Sequence, residues 1–595
     1  MFYGIVVVSG QVLHAASLGF ANEPASPNKP VALRVGAMTR PQSRRLKRHF
    51  VGGLPLLHRL AERIGLRSLF ERHVPAHGND QIPVVDTLML LVYNLTLGKD
   101  PLYELAAWVG TLEPRAIGQG TLAAEKFSDD RFGRALDRLY RADRASLMTE
   151  LVTTVVRTFA LELPRIHNDS TTVKAYGEYP GRTASGLALK RGNSKDHRPD
   201  LKQLVFSLSV SCDGGVPVHH KVYAGNRTDD TTHIETWNTV RKIAPADDFL
   251  YVADSKLCTD AQLHHIAQRG GRAVTIIPET WGEVAAFKAQ LRTTRKAKQE
   301  IWRRPRPDDD EQSEYFSVFL GEYTTEKRGY RIHWIYSSEK RKRDRISREQ
   351  RLGKAETALM ELNAKLNTRK LKQKENIEAG AEAIVEKYQV EGLLRLKIGT
   401  SREEYRVKVG KGRPGNNARY ETRIRAIHTL TWTRDTQGLK AASRLDGIFP
   451  LLSTDTTLSA KEVLQAYKYQ PRLEKRFSQF KSIHNAAPLL FKNVTRVEAN
   501  MFLFFVALII QALIEREVRK KMNEEGRRVL HVYPEEREAA HPTTNKILDR
   551  FEPLSTYRLI EDDRVVEEFK DDLTDTQKLL LNYLDLSEQE YWCAT

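Results

Sequence analysis

The stretch 249-FLYVAD-254 runs through five residues of strand type and then stops on a carboxylate. A strand that ends on an acid sets that group at the rim of a sheet, where α/β folds carry their sites. The same texture repeats on both sides: 165-RIHNDSTTV-173, 203-QLVFSLSVS-211, 216-VPVHHKVYA-224 and 272-RAVTIIP-278 are short β-type runs parted by turn residues. Cys212-Asp213-Gly214-Gly215 joins the second and third of these as a hairpin, and 232-THIE-235 is a capping box that opens a helix. Strand, hairpin, helix, strand, helix, strand implies a mixed α/β fold with helices flanking the sheet.

Outward from this block, residues 51–162 carry helical spacing, with Ser128 as an N-cap and Phe132, Leu136, Leu139 and Tyr140 on one side. They read as an all-α N-terminal domain. Residues 1–50 hold a short apolar opening and the basic tract 40-RPQSRRLKRH-49, and are expected to be poorly ordered; Met38 is a plausible alternative start. Residues 280–450 interrupt the sheet pattern with a hairpin (315–323 with 329–337), a helical hairpin in which Leu352, Ala355, Leu359, Leu362 and Leu366 form a short heptad seam, and strand-like sequence at 420–432. The α/β pattern resumes over 451–515 with the capping box 459-SAKE-462 and an apolar helix at 500–514, too short to span a bilayer. The charged region 516–595 carries no clear pattern.

The 595 residues are enough for several domains, and 94 Lys plus Arg against 76 Asp plus Glu give a net charge of +18. That excess favours a polyanionic partner. Three scattered cysteines exclude a disulfide framework and a zinc ribbon, and fit a reducing cytosol.

The stretch 467-YKYQPRLEKRFSQFKSI-483 surrounds Glu474 with cations. At about 100° per residue, Tyr467, Gln470, Glu474 and Lys481 share one helix face, with Pro471 as the point where the helix kinks or starts. Asp169 stands in the first strand among polar neighbours, and Asp254 ends the fourth. Two carboxylates from neighbouring strands and one from a helix can hold two divalent cations for in-line phosphoryl transfer, and hard oxygen ligands select Mg²⁺, with Mn²⁺ as substitute.

The order Asp169, Asp254, Glu474 resembles the DDE transposases of bacterial insertion sequences. Tyr467-x2-Gln470-x3-Glu474-x6-Lys481 is similar to the Y-x2-R-x3-E-x6-K signature of the group with an insertion-split catalytic domain, with Gln470 where Arg is usual and Arg472 supplying charge nearby. The likeness covers roughly residues 50–515. It implies an RNase H-like catalytic domain in two parts, 163–279 and 451–515, split by a β-rich and helical insertion, 280–450, and preceded by a DNA-end-binding domain at 51–162. It further implies metal-dependent cleavage at element ends and 3′-OH strand transfer. Asp169, Asp254 and Glu474 would be metal ligands, and Tyr467, Gln470, Arg472 and Lys481 would contact DNA. The implied partner is double-stranded DNA, at element ends and target, held by a homodimer with no membrane role. In some members an insertion aromatic stacks a flipped base, for which Trp302, Trp334 and Trp432 are available.

Bland readings stand beside these. Glu474 could pair on a solvated face, and Asp169 and Asp254 could serve turns. Asp229 and Asp230 compete for the second ligand position but suit a helix N-terminus, with Asn226 or Asp229 in a supporting role. The rival functions are a nuclease on the same fold without strand transfer, and a catalytically inactive DNA-binding protein.

Overall fold

The computed structural model describes residues 44–98, 101–192, 198–227, 232–244, 249–304, 313–412, 418–483, 491–533 and 535–593. The chain is a mixed α/β protein built around one long apolar helix, Val494–Glu524. Helices Leu54–Arg63, Leu66–His73, Val84–Leu97, Asp129–Arg141 and Arg144–Thr158 form the N-terminal part. Ser128 caps Asp129–Arg141 by accepting from Arg131 N at 3.3 Å, and Phe132, Leu136 and Leu139 are buried, as their spacing requires. Val84–Leu97 and Asp129–Arg141 pack on Val494–Glu524, and the Asp137 carboxylate takes both Arg496 Nε (2.9 Å) and Nη2 (2.8 Å). The central helix spans 31 residues, longer than the apolar run alone implies, and by length and composition it could cross a membrane. Its apolar window is entirely buried by protein instead.

The main sheet has ten strands among the described residues. Its order is Pro217–Ala224, Lys202–Ser211, Arg165–Ala175, Leu250–Ala253, Arg272–Ile276, Ile448–Ser453, Arg331–Ser337, Glu314–Phe319, Lys298–Arg304, with Tyr323–Thr324 paired beside Arg331–Ser337. Leu250–Ala253 runs parallel to both its neighbours, reached through helix His233–Ile243 and left through helix Asp260–Ala267. The hairpin at 212–215 forms as its glycines predict: Gly214 (φ 74°) and Gly215 (φ 66°) both take the left-handed region. Thr232, by contrast, makes no side-chain cap bond to its helix, and the Glu235 carboxylate pairs with Lys221.

Two expectations are corrected. Arg44–Phe50 is a strand, in a three-stranded sheet with Ser555–Glu561 and Arg564–Lys570, so order begins before Val51. Its outer part, 44–47 with 557–568, is a small unit of its own, in which Arg44 pairs with Glu561 and Arg45 with Asp563. The interruption expected over 280–450 is narrower. Strands 298–304, 314–319 and 331–337 extend the main sheet, and Arg331–Ser337 pairs with Ile448–Ser453 from Arg331↔Ser453 to Tyr336↔Ile448. Phe316, Ile335, Phe449 and Leu451 share a buried cluster with Val252 and Val274, which ties these strands to the first block.

Among the described residues, the long excursion from the sheet is 338–447. Helices Ser338–Asn363 and Lys374–Lys387 pack as a hairpin, burying Leu352, Ala355 and Leu359 against Ile377 and Ala381, as the heptad seam predicts. Arg348 and Asp446 close its base as a buried bidentate pair, with Nη2–Oδ2 at 2.8 Å. A two-stranded ribbon follows, Leu394–Lys408 with Tyr420–Arg434.

Candidate active site

Asp169 lies in the strand Arg165–Ala175, half-buried, with its Oδ1 accepting from Ser170 N at 2.7 Å. The parallel pairing with the next strand ends at Asn168↔Ala253, so Asp169 and Asp254 follow side by side where the two strands part. Asp254 caps the short 3-10 turn Ser255–Leu257, accepting from Lys256 N at 2.9 Å, and its carbonyl accepts from Thr275 Oγ1 at 2.6 Å. That turn holds the acid at the rim.

Glu474 is exposed in the helix Gln470–Ser478. The opposite side of that helix is anchored. Leu473, Phe477 and Phe480 are buried, and Phe480 stacks on Phe206 of the sheet (centroids 4.5 Å) and meets Phe504 of the central helix edge-on (5.3 Å). Arg476 donates from Nε to Gly215 O (3.0 Å), from Nη2 to Gly214 O (2.9 Å), and from Nη1 to Gln479 Oε1 (2.7 Å) and Glu515 Oε2 (3.0 Å). Burial alone would push the Glu515 carboxyl up, but Arg476 and Arg519 outweigh it and hold the group below its ordinary range. Sequence reasoning missed this clamp by counting Arg476 among the surface cations. Its angular offset from Glu474, about 200° two residues on, was the available signal.

The single helix face expected from Tyr467 to Lys481 does not run through. Helix Ala460–Tyr467 ends at the tyrosine, Gln470–Ser478 starts afresh with Pro471 in its first turn, and Gln479–Ile483 widens into a π turn that carries Lys481. Proline suits a first turn because its missing N–H has no partner there. The side chains of Gln470 and Arg472 lie outside the described residues, as do Asp229 and Asp230.

Tyr467 nevertheless reports what the break brings together. Its phenol is pushed up to about 12 by burial first, and then by the charges of Asp254, Asp169 and Glu474. Three carboxylates separated by up to 305 positions, from Asp169 to Glu474, thus act on one hydroxyl. The donor set is all carboxylate, the chemistry that hard divalent cations take. Among the described residues, no three His, Cys, Asp or Glu side chains stand close enough together to hold an ion as they are. The acids converge on Tyr467 without closing into a ligand shell.

The tryptophans named from the sequence, and several cations of the quoted stretch and of the basic runs 339–345 and 515–528, have partners within the protein. Lys468 lies over the Phe316 ring at 4.7 Å, with Glu314 at 3.7 Å, and burial lowers its pKa. In the tract 339–345, Lys340 pairs with Asp344 and Lys342 with Glu339; in 515–528, Arg516 pairs with Asp213 and Arg519 with Glu515. Trp334 is core, parallel to Phe287 at 3.9 Å; Trp302 stacks on Phe316 at 5.1 Å, and Trp432 packs against the helical hairpin. Beside the Glu474 helix lies a cleft of about 820 Å³ whose wall includes Lys475, Lys520, Arg527 and Arg528.

Residues 46–153 match the family described as a domain of unknown function, DUF4277. No curated protein matches the chain in sequence. Among solved structures, it is similar to the piggyBac transposase of a synaptic complex with hairpin DNA, at 7% identity over 84% of this chain and 79% of that one, with a TM-score of 0.36. A likeness that remote transfers no residue correspondence.

Proposed function

We propose that the protein is a DNA transposase of the DDE type, cutting at the ends of an element and joining the freed 3′-OH to target DNA. The observation that carries the reading is that Asp169 and Asp254 stand side by side where two parallel strands part, with the helix that bears Glu474 packed against the first of those strands. The net charge of +18 and the cationic cleft beside the Glu474 helix support a polyanionic substrate. The split RNase H-like arrangement is the matching fold reading: the strands before residue 280 form one contiguous block, and the Glu474 helix returns to it after the excursion 338–447.

Asp169, Asp254 and Glu474 would hold two Mg²⁺ ions, which when bound activate the attacking oxygen and stabilise the leaving one. The chain's own residues supply the rest. The strands fix the two aspartates at the rim, the Arg476 clamp fixes the helix bearing Glu474, and Lys481 offers a point charge to phosphate. A homodimer on paired ends would complete the reaction.

The test is purified protein with a pre-cleaved element end and a plasmid target in Mg²⁺. Joined product is expected, and Asp169→Ala, Asp254→Ala or Glu474→Ala should each abolish joining while leaving DNA binding. Cleavage without joining would make the protein a nuclease, and full activity in any of the three variants would overturn the site.

A further inference from the structure

The ribbon Leu394–Lys408 with Tyr420–Arg434 is built in two unlike halves. Its base is fixed. Asn367 Nδ2 donates to His428 O (2.9 Å) while His428 N donates back to Asn367 Oδ1 (2.7 Å), and Leu430 N donates to Asn363 Oδ1 (3.2 Å). Leu394 and Leu430 are buried in the cluster of the helical hairpin. From Ser401 outward the strands are open to solvent on both sides, with Tyr420 55% and Ile424 61% exposed. A two-stranded ribbon packed on nothing is marginal in water, so a chain that holds the base of one firmly and leaves its end bare presents that end to something.

The two faces differ in charge state. Side chains alternate along a strand, so the register Arg402↔Ala426 to Lys408↔Tyr420 sorts them. On one face Arg425 pairs with Glu403 at 2.7 Å and lies over the Tyr405 ring at 5.2 Å, and Arg423 pairs with Glu421 at 3.4 Å. That face neutralises itself. The other carries Arg402, Arg406 and Lys408 on one strand with Tyr420 and Ile424 across from them, and Glu404 as its acid. Arg402 and Arg406 have no ion pair among the described residues. Over 401–427 eight Lys and Arg stand against three Glu.

We propose that the distal half of this ribbon is a duplex-DNA arm, whose Arg402, Arg406, Tyr420 and Ile424 face enters the major groove. The groove, about 12 Å wide, admits a two-stranded β-ribbon. Arg402 and Arg406 neutralise backbone phosphates, while Tyr420 and Ile424 give apolar contact to base edges. The arm rests on the reading of the protein as a DNA enzyme, but it does not need the carboxylates.

The test is binding of the full-length protein to a short random-sequence duplex by fluorescence anisotropy across a KCl series. Arg402→Glu with Arg406→Glu should weaken binding by about tenfold or more, and should lower the slope of log K against log salt by about two, since every phosphate no longer neutralised takes about 0.9 from it. Arg402→Gln with Arg406→Gln should show the same slope loss with a smaller drop in affinity. Glu403→Ala with Arg425→Ala, on the neutralised face, should change affinity by less than about twofold on the same basis. Circular dichroism checks that each variant is folded. Unchanged affinity and slope in both Arg402/Arg406 variants would overturn the arm, as would loss of dimer in ultracentrifugation with DNA affinity intact, which would make the face a contact between copies. Ribbon-dependent binding with no strand joining would keep the arm and remove the transposase, whereas joining with ribbon-independent binding would do the reverse.

Discussion

Tyr467 allows the convergence of the three acids to be weighed without any assay of catalysis. Its phenol ionises at about 12 in the fold against 10.0 for an ordinary tyrosine. The folded chain therefore holds more protons than the unfolded one between those values, and this residue's contribution to stability is lost as pH rises from about 10 to about 12. Asp169→Asn, Asp254→Asn and Glu474→Gln should each bring the ionisation of Tyr467 down, and none should return it to 10.0, because burial is the larger cause. Fluorine NMR of 3-fluorotyrosine-labelled protein, with the resonance assigned through Tyr467→Phe, reads this at milder pH. A titration indifferent to all three substitutions would separate the acids from the tyrosine. At this scale the placement of Asp169 and Asp254 at neighbouring strands was legible, since a polar break in a strand and an acid at a strand end both stand out from an apolar pattern. Arg476 was passed over as one of a run of charges, where its angular offset from Glu474 was the one mark of an inward-facing member.

The element on which the site turns is the helix Gln470–Ser478, and its attachment is electrostatic as well as apolar. Arg476 and Glu515 are 3% and 1% exposed, so removing the cation leaves a carboxylate buried among weaker partners. Arg476→Met should cost about 3 kcal/mol in urea unfolding, the lower end for a broken buried pair, because Arg519 and Gln479 still reach Glu515. Since Glu515 is held below 4.5 in the fold, the stability it lends is present above that value and lost as pH falls, and Arg476→Met should flatten this acid limb. Strand joining should fall further than DNA affinity. Equal stability at pH 7 would show the clamp to be idle. Helical periodicity read this segment as helical but drew one continuous face, because period alone cannot see a helix end at Tyr467 or a π turn at Gln479.

For the whole molecule, the last residues return to the first helices. Leu554 O accepts from Val51 N (3.2 Å) and Gly52 N (3.0 Å), Thr556 Oγ1 donates to Glu113 Oε2 (2.9 Å), and Tyr591 Oη donates to Gly52 O (2.8 Å) from within the buried core. Tyr591→Ala should destabilise the protein by about 3 kcal/mol and open 51–74 to limited proteolysis, whereas protease resistance equal to the parent would mean that the C-terminal helix is dispensable. Residues 516–595 were opaque in sequence for the same reason: their partners lie some 500 positions away, beyond any local period. The helical character of residues 51–162 and the mixed α/β block were readable, and the outer limit of the sheet was not, because strands at 298–337 signal their type but not their neighbours. The ribbon adds a kinetic side to this architecture. Residues 401–408 span about 26 Å at strand rise, roughly three screening lengths at physiological salt. Charge carried that far out meets a passing polyanion before the field of the protein body does, enlarging the capture radius and speeding encounter more than it lengthens residence.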